Sequence, residues 1–448
     1  MSTVTSTHKL STEKIGKLVW HYSLPAIVGT MVMSLYNIVD RIFIGQGVGA
    51  LAISGLALTF PFMILLMAFG LLIGAGSASR ISITLGEGDH AKAEKILGNA
   101  LTLTFLITGT VSLLTFIFMG DLLLMFGGTP ETVGYAEEYM RIIVPFSMLS
   151  ALSFGFNNIM RATGFPRKAM LTMIISALIN VALDALFIYG FGWGIQGAAW
   201  ATVISYAIGS VWVLNHFFLP KSVIRFRKEN LRLDKNIVGA IVSIGMSPFS
   251  MQLAFTLIVV IINITLLQYG GDLAVGAYGI INSLTVLIIH IIIGLNQGTQ
   301  PIIGYNYGAR QYDRMFKTLK LSIIAATILT TLGFIMGIFF SKLSVHLFTT
   351  DEELIGIASK ALKIVILMFP IVGFQIVISN FFQSIGKAKI SIFLSLTRQL
   401  IFLVPSLLIL PYFMGLDGAW AAFPVADALA AFVAAVTLLS FHKRFRQL

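Results

Sequence analysis

Three of the 19 acidic residues fall well inside long apolar stretches, namely Asp40, Asp184 and Asp427. Asn180 precedes Asp184 by four residues, so the two side chains share one face of a helix, and Thr202 follows on the next apolar stretch. Two carboxylates beside an amide and a hydroxyl suit two kinds of chemistry. A desolvated carboxylate pair takes up a proton readily, and the same oxygen atoms are hard ligands for a small cation such as Na⁺. These residues predict a site for H⁺ or Na⁺ and leave that choice open.

A second group of polar residues in apolar stretches has less defined chemistry. Asp427 has no acid opposite it in the first half of the chain, and three roles are open: a second coupling site, a substrate contact, or an ion pair with Arg398. A histidine inside a membrane helix is more often a hydrogen-bonding group than a proton relay. The possible additional polar site therefore consists of Asp427 with Asn157, His290, Gln252 and Gln375.

The elements that must position these residues are membrane-spanning helices. The chain is 57% hydrophobic and only 11% charged, whereas a soluble domain is about 25% charged. Apolar runs near or above the roughly 20 residues that cross a bilayer core of about 30 Å recur along the chain. We predict an all-α integral membrane protein with twelve transmembrane helices, near residues 18–44, 51–76, 96–120, 139–162, 169–190, 196–219, 237–268, 273–298, 318–341, 357–383, 391–413 and 417–440.

The charged residues predict the orientation of these helices. Of the 30 lysines and arginines, 24 lie in seven segments that comprise the two ends and every second loop. The alternate loops are acidic or neutral. Because basic loops stay on the cytoplasmic side, both termini should be cytoplasmic and the number of helices even. We expect a multi-pass protein of the plasma (inner) membrane.

This orientation gives the candidate residues a common depth. Asp40 is about four residues and Asp184 about six residues from the outer ends of their helices, which is roughly 6 to 9 Å at ~1.5 Å per residue. Asn180 lies one turn deeper, Thr202 lies at a matching depth, and Tyr139 begins helix 4 from outside. The five polar groups should therefore converge near the external surface. In the alternative reading, Asp40 only pairs with the adjacent arginine and Asp184 only caps a helix.

An internal repeat divides the chain into two halves. Landmarks recur at an offset of 220 to 223 residues, including Pro25 with Pro248, Gly76 with Gly298 and Gly86 with Gly308. We predict an N-terminal six-helix lobe (1–219), a basic cytoplasmic linker (220–236) and a C-terminal six-helix lobe (237–448), related by a pseudo-two-fold axis along the membrane normal. Pro25, inside helix 1, is a candidate hinge because proline removes a helical hydrogen bond.

Several function classes lose support. The chain has no cysteine, which removes thiolate metal sites and thiol nucleophiles. No GxxxxGK[ST] phosphate loop is present, which argues against ATP as the energy source. No arrangement of a nucleophile and a base stands out, so an enzyme is not expected. The excess of 11 positive charges is explained by loops rather than by nucleic acid, and we expect no cofactor, a lipid bilayer environment and a monomer.

These residues resemble the MATE (multidrug and toxin extrusion) family, in the multidrug/oligosaccharidyl-lipid/polysaccharide exporter superfamily. The resemblance runs from about Leu18 to Ser440 and is carried by the segments 23–27, 36–40, 155–164, 180–184 and 194–202. It implies export of organic, often cationic or amphipathic compounds in exchange for H⁺ or Na⁺. It also implies that the cation site of the N-terminal half consists of Asp40, Tyr139, Asn180, Asp184 and Thr202.

One departure from the family concerns the C-terminal half. Some members carry acids on helices 7 and 10, where this chain has Gln252, Gln375, Asn380 and Gln383, which weighs against a second cation site. Two alternatives to antiport remain. A flippase for a lipid-linked precursor would need a basic cavity, and a membrane-embedded lipid enzyme would need a convergent nucleophile and base.

Overall fold

The helices follow the apolar runs of the sequence and begin at residues that satisfy free backbone amides. In the computed structural model, which describes residues 9–126 and 128–445, aspartates precede three of these helices. Asp89 accepts from the amide of Lys92, while Asp234 and Asp351 each accept from two amides of the helices they precede. These are N-caps, which stabilise a helix by about 1 kcal/mol. Polar loops thereby specify where the apolar helices start.

Twelve membrane-spanning segments occur among the described residues. Eight helices are long and apolar enough to span a bilayer, and two further spans are pairs of helices bent by 59° and 55°. Two of the eight are double: Lys235–Gly308 turns at Gly271 and Ala388–Lys443 turns at Gly415, where φ is +65° and +58°. The predicted all-helical fold with twelve spans is confirmed.

We number the spans α1 to α12 in chain order. Their bounds are Ile15–Gly47, Ala50–Gly86, His90–Ile117, the bent pair Val133–Ile143 and Ser147–Ala162, Pro166–Asp184 continued by a π-helix Ala185–Gly190, Gly194–Phe218, 235–270, 272–308, Tyr312–Phe339, the bent pair Glu352–Val365 and Phe369–Ser384, Ala388–Leu396 continued by a π-helix Thr397–Leu403 and 404–414, and 416–445. Short helices Met119–Met125, Lys228–Leu231 and Ser341–His346 lie between them.

Two features of the spans differ from the prediction. Helices α2 and α8 each continue about ten residues further, to Gly86 and Gly308, because their ends pack on each other instead of entering water. Helices α4 and α10 are broken and not continuous. Pro145 lies within the first break, and Pro370 is the second residue of the helix that follows the second break. Since proline donates no backbone hydrogen bond, it favours these two breaks.

The two halves meet on the side of the membrane that carries the basic loops, which we call the basic side. A Cβ atom on Gly86 would lie 2.0 Å from the carbonyl oxygen of Tyr305, and one on Gly308 would lie 2.0 Å from that of Ile83. Gly76 and Gly298, further along the same helices, approach the backbones of α7 and α1 in the same manner. Only glycine permits such backbone contact.

Hydrogen bonds and an ion pair hold the segment 220–236, which connects α6 to α7, against α3. Asn99 donates to the carbonyls of Asn230 and Arg232, each at 3.2 Å, and accepts from the amide of Asp234 at 2.8 Å. Arg227 forms an ion pair with Glu94 at 2.6 Å. The connection between the halves is therefore held against the first half.

Candidate functional site

Asp40 and Asp184 lie on α1 and α5, which pack against each other. Asp40 is 9% exposed and Asp184 is fully buried. The two carboxyl groups are close enough for the charge of one to act on the other. Two ionised carboxylates in such a position repel each other, and this repulsion favours uptake of a proton. The structure therefore places the two predicted acids together.

The other three predicted residues surround this pair. Asn180, one turn before Asp184, donates from Nδ2 to the hydroxyl of Thr202 on α6 at 3.3 Å. Tyr139, on the first segment of α4, packs in one apolar cluster with Ala199 and Val203, which flank Thr202 on α6. All three side chains are buried. The five residues that were expected to converge lie in one cluster formed by four helices.

Two tyrosines of this cluster escaped the sequence reading. The hydroxyl groups of Tyr36 on α1 and Tyr206 on α6 lie 3.3 Å apart and share a hydrogen bond. Tyr36 precedes Asp40 by four residues and Tyr206 follows Thr202 by four, so helical spacing is the signal that could have found them.

Several buried oxygen atoms of the cluster receive no donor from the described residues. They are Oδ1 of Asp40, Oδ1 of Asn180 and both carboxylate oxygens of Asp184. A buried acceptor without a donor costs about 1 to 3 kcal/mol, and more if it is charged. A proton, a cation or a buried water molecule can satisfy such acceptors, and carboxylate, amide and hydroxyl oxygens are the ligand types that suit a small hard cation.

The alternative roles considered for the two acids do not match the geometry. The adjacent Arg41 places its guanidinium over the ring of Phe60, 4.4 Å from the ring centre. Asp184 is at the junction where α5 changes from an α-helix to the π-helix Ala185–Gly190. It therefore lies within the span and not at a helix start. Single π-helical turns are common at functional sites.

A small cavity adjoins the cluster. Its wall includes Tyr36 and Tyr206, the apolar side chains Met33, Phe154 and Met173, and the hydroxyls of three serines. It has room for about one water molecule. Asn157 lines the same cavity, where it donates to the carbonyl of Ala169 at 2.8 Å and accepts from Arg161 at 2.7 Å. Asn157 thus lies beside the cluster, as a fully bonded wall residue.

The remaining polar candidates do not form one site. Asp427, 2% exposed, forms an ion pair with Arg398, which lies in the π-helix of α11. His290 bonds to the carbonyl of Val286 in its own helix at 2.9 Å. Gln375 donates to the carbonyl of Leu394 at 3.1 Å, and Gln252 is half-buried on α7. Of the three roles left open for Asp427, the structure shows the ion pair.

Arg161 is a further buried group that sequence reasoning placed among the exposed basic segments. It is 3% exposed and contacts three amide oxygens, those of Asn157, Asn158 and Gln297. Gln297 belongs to α8, so this contact joins the two halves on the basic side. The sequence analysis placed it at the end of the predicted helix 139–162 and counted it among the cytoplasmic basic residues, and only the helix packing shows that it is buried.

Comparison with known proteins gives matches over the whole length. The MatE family model matches residues 25–186 and 249–408. The multidrug export protein MepA of Staphylococcus haemolyticus (strain JCSC1435) is 27% identical over 430 residues, which cover 96% of this chain and 94% of the relative.

Solved structures match equally completely. The MATE multidrug transporter DinF-BH is 37% identical, with a TM-score of 0.89 and 96% of each chain covered. An outward-facing MATE family multidrug resistance transporter shares the fold with a TM-score of 0.94 over 100% of both chains, at 24% identity. Since the family model matches well over half of the residues, in two segments that lie one in each half, the chain belongs to the MatE family.

Proposed function

We propose that this protein is a cation-coupled multidrug antiporter, which exports organic, often cationic or amphipathic compounds in exchange for H⁺ or Na⁺. The observation that carries the proposal is the set of buried oxygen atoms around Asp40 and Asp184 that lack donors. The relatives named as multidrug exporters support the substrate class. The coupling itself rests on the chemistry of the cluster.

The charge of the cluster changes when it binds or releases a cation. A bound proton or sodium ion would neutralise the charge that Asp40 and Asp184 share. With the charge neutralised, Asp40 no longer repels Asp184, and α1 and α5 can pack closely on the external side. When the carboxylates are bare, their repulsion and desolvation favour a conformation that admits water. Each charge that moves inward across the membrane contributes about 2.3 kcal/mol per 100 mV.

Helix α1 is the element that can transmit this change. Pro25 lies inside it, between Ser23 and Ile27, whose backbones contact Gly298 and Gly294 of α8. A bend at Pro25 therefore alters the packing of α1 on the other half. We propose that Pro25 is the hinge, and that cation and substrate favour opposite arrangements of the two halves.

The flippase alternative needs a basic cavity, and it loses support because its candidate arginines in the sequence, Arg41, Arg141 and Arg398, are engaged elsewhere. Arg41 lies over the ring of Phe60, Arg141 pairs with Glu137 at 3.2 Å, and Arg398 pairs with Asp427. The lipid-enzyme alternative has no specific observation in its favour.

The proposal extends to the orientation of the protein in the membrane and to its division into two lobes. We propose that the basic side is cytoplasmic, that both termini lie there, and that the protein acts in the inner membrane as a monomer without ATP. The functional units are the lobes 1–219 and 237–448 joined by the linker 220–236. The contacts between the halves on the basic side, including Ser23 to the carbonyl of Leu295 at 3.4 Å, would close the protein toward the cytoplasm.

Transport in proteoliposomes tests this function. Purified protein is reconstituted, and movement of a fluorescent organic cation is followed under an imposed H⁺ gradient, an imposed Na⁺ gradient, or neither. We expect accumulation against the substrate gradient with one ion gradient, and collapse of transport when an ionophore dissipates it. Equal transport under all three conditions would contradict antiport.

A further inference from the structure

A groove opens on the basic side between the start of α1 and the start of α9. Its volume is about 780 Å³, and its wall includes four basic residues, Lys14, Lys17, Arg314 and Lys317. One acid, Asp313, is part of the same wall. The groove is far from the carboxylate cluster and has no role in the mechanism above. It joins helices of the two different halves.

The groove carries an excess of positive charge. Lys17 pairs with Glu13 at 2.7 Å, and this hydrogen bond lowers the pKa of Glu13, so both remain charged and offset each other. Arg314 donates to the carbonyls of Leu10 and Glu13 at 3.0 and 2.7 Å and to Asn306 at 3.1 Å. Those acceptors are neutral, so the charge of Arg314 is not compensated there.

Lys14 and Lys317 add to that excess. No acid within ion-pair distance accompanies either of them in the part of the chain that the structure describes. Four cations against Asp313 and Glu13 leave an excess of two positive charges. An anionic group is the ligand that this composition favours.

The start of α1 adds backbone donors to the same wall. The helix begins at Ile15, no side chain caps it, and the residues of its first turn line the groove. Nothing lies within 4 Å of the position that a Cβ of Gly16 would occupy, so the surface there is open. Free amides at a helix start are donors for phosphate.

The groove also has an apolar part and lies at the membrane surface. Leu321, one helical turn beyond Lys317 along α9, lines the groove together with Ile15, and both belong to one apolar cluster. Trp20 on α1 is 68% exposed and Tyr312 at the start of α9 is 36% exposed. Exposed tryptophan and tyrosine are typical of the headgroup layer. A molecule that fills the groove therefore meets cations in the headgroup layer and apolar side chains toward the bilayer core.

We propose that this groove binds a membrane lipid with a phosphate-bearing anionic headgroup. The phosphate lies against Lys14, Lys317 and Arg314, and an acyl chain runs along Leu321. Basic pockets between transmembrane helices bind such headgroups because phosphate is both a charge partner and a hydrogen-bond acceptor. Since the lipid contacts α1 of one half and α9 of the other, it stabilises the closed contact between the halves on the basic side.

The test uses the purified, delipidated full chain in detergent. Phosphatidylglycerol, phosphatidylcholine, inorganic phosphate and glycerol phosphate are titrated separately, with the melting temperature and native mass spectrometry as readouts. The variant Lys14→Gln/Lys317→Gln is compared with Lys221→Gln/Lys228→Gln, which removes two basic residues outside the groove. All four are surface positions, so folding should be unaffected.

We expect phosphatidylglycerol to stabilise the wild type and the control pair. It should bind the groove variant roughly 30-fold more weakly, since each lysine near a membrane surface contributes a factor of about five. Phosphatidylcholine and the soluble phosphates should have little effect. Equal phosphatidylglycerol binding by both variants would remove the groove from consideration, and equal stabilisation by inorganic phosphate would identify a soluble-anion site instead. Neither result depends on transport activity.

Discussion

Asn180 donates a hydrogen bond from Nδ2 to the hydroxyl of Thr202 at 3.3 Å. This contact orients the amide, so that its Oδ1 is the atom available to another ligand. Its Oδ1 receives no donor from the described residues. Because Asn180 is one turn from Asp184, that oxygen adds to the acceptors of the carboxylate pair. The contact between α5 and α6 thus prepares an oxygen site, and the predictions below begin there.

Removing the charge of either carboxylate should uncouple transport. Asp40→Asn and Asp184→Asn keep the side-chain shape, so substrate binding should persist while gradient-driven efflux falls toward background. Thermal stability should be unchanged or higher, because a buried charge has been removed. Efflux, binding and melting temperature are measured on the same preparations, with Glu131→Gln in an exposed loop as the control.

A structural role for these acids predicts the opposite pattern, namely poor expression or a lower melting temperature with coupling intact in the surviving protein. Full coupled efflux by both asparagine variants would rule out the proposed site.

Pro25→Ala should impair turnover more than binding. Alanine restores a helical hydrogen bond and stiffens α1 where it packs on Gly294 and Gly298. The expected result is slower transport with little change in substrate affinity and melting temperature. Pro61→Ala, inside α2, is the matched control. Wild-type turnover in the purified Pro25 variant would reduce Pro25 to a packing residue.

Removing one partner of the ion pair between Arg398 and Asp427 should destabilise the protein more than replacing both partners. Asp427→Asn leaves the charge of Arg398 without its partner in the protein interior, which costs about 3 to 5 kcal/mol. The double variant Arg398→Met/Asp427→Leu should unfold at a temperature much closer to that of the wild type. Thermal unfolding in detergent checks the expected order of melting temperatures, with the wild type highest, the double variant close to it and Asp427→Asn lowest. If Asp427→Asn instead kept its stability and lost coupled transport, Asp427 would be a second coupling site.

Gly308→Ala should weaken the contact between the halves. Its Cβ would lie 2.0 Å from the carbonyl oxygen of Ile83, which is backbone and cannot move aside. The reporter is Ser79→Cys, a buried position that accepts a hydrogen bond from Gln300 of the other half. Since the chain has no native cysteine, labelling by an impermeant maleimide reports opening, and we expect a several-fold increase. Gly279→Ala, with nothing within 4 Å, should leave labelling unchanged, and no increase with Gly308→Ala would contradict the interpretation.

The orientation is tested with single cysteines in whole cells. Arg227→Cys should react only after the membrane is permeabilised, whereas Glu131→Cys and Glu352→Cys should react with impermeant reagent from outside. The expectation follows from the retention of basic loops on the cytoplasmic side. Reaction of position 227 in intact cells would reverse the topology.

The positions of the helices could be predicted because a bilayer imposes a length and a polarity on each span. Twelve apolar runs separated by charged or glycine-containing segments define α1 to α12, and the acids at 40 and 184 stand out against such runs. Their common depth follows from counting residues at a fixed rise. The repeat also marked Gly86 and Gly308 as equivalent, although it did not reveal that these ends contact each other.

What only the tertiary structure decided are the contacts between helices, since these depend on rotation and bending about axes that a linear pattern does not specify. The pairing of Asp427 with Arg398, the hydrogen bond of Tyr36 with Tyr206, and the burial of Arg161 against Gln297 are all of this kind. The sequence by itself determined a twelve-span membrane protein with two acids at one depth. Their assembly into one oxygen site required α4, α5 and α6 to present their polar faces to α1, and packing of the whole first half establishes that arrangement.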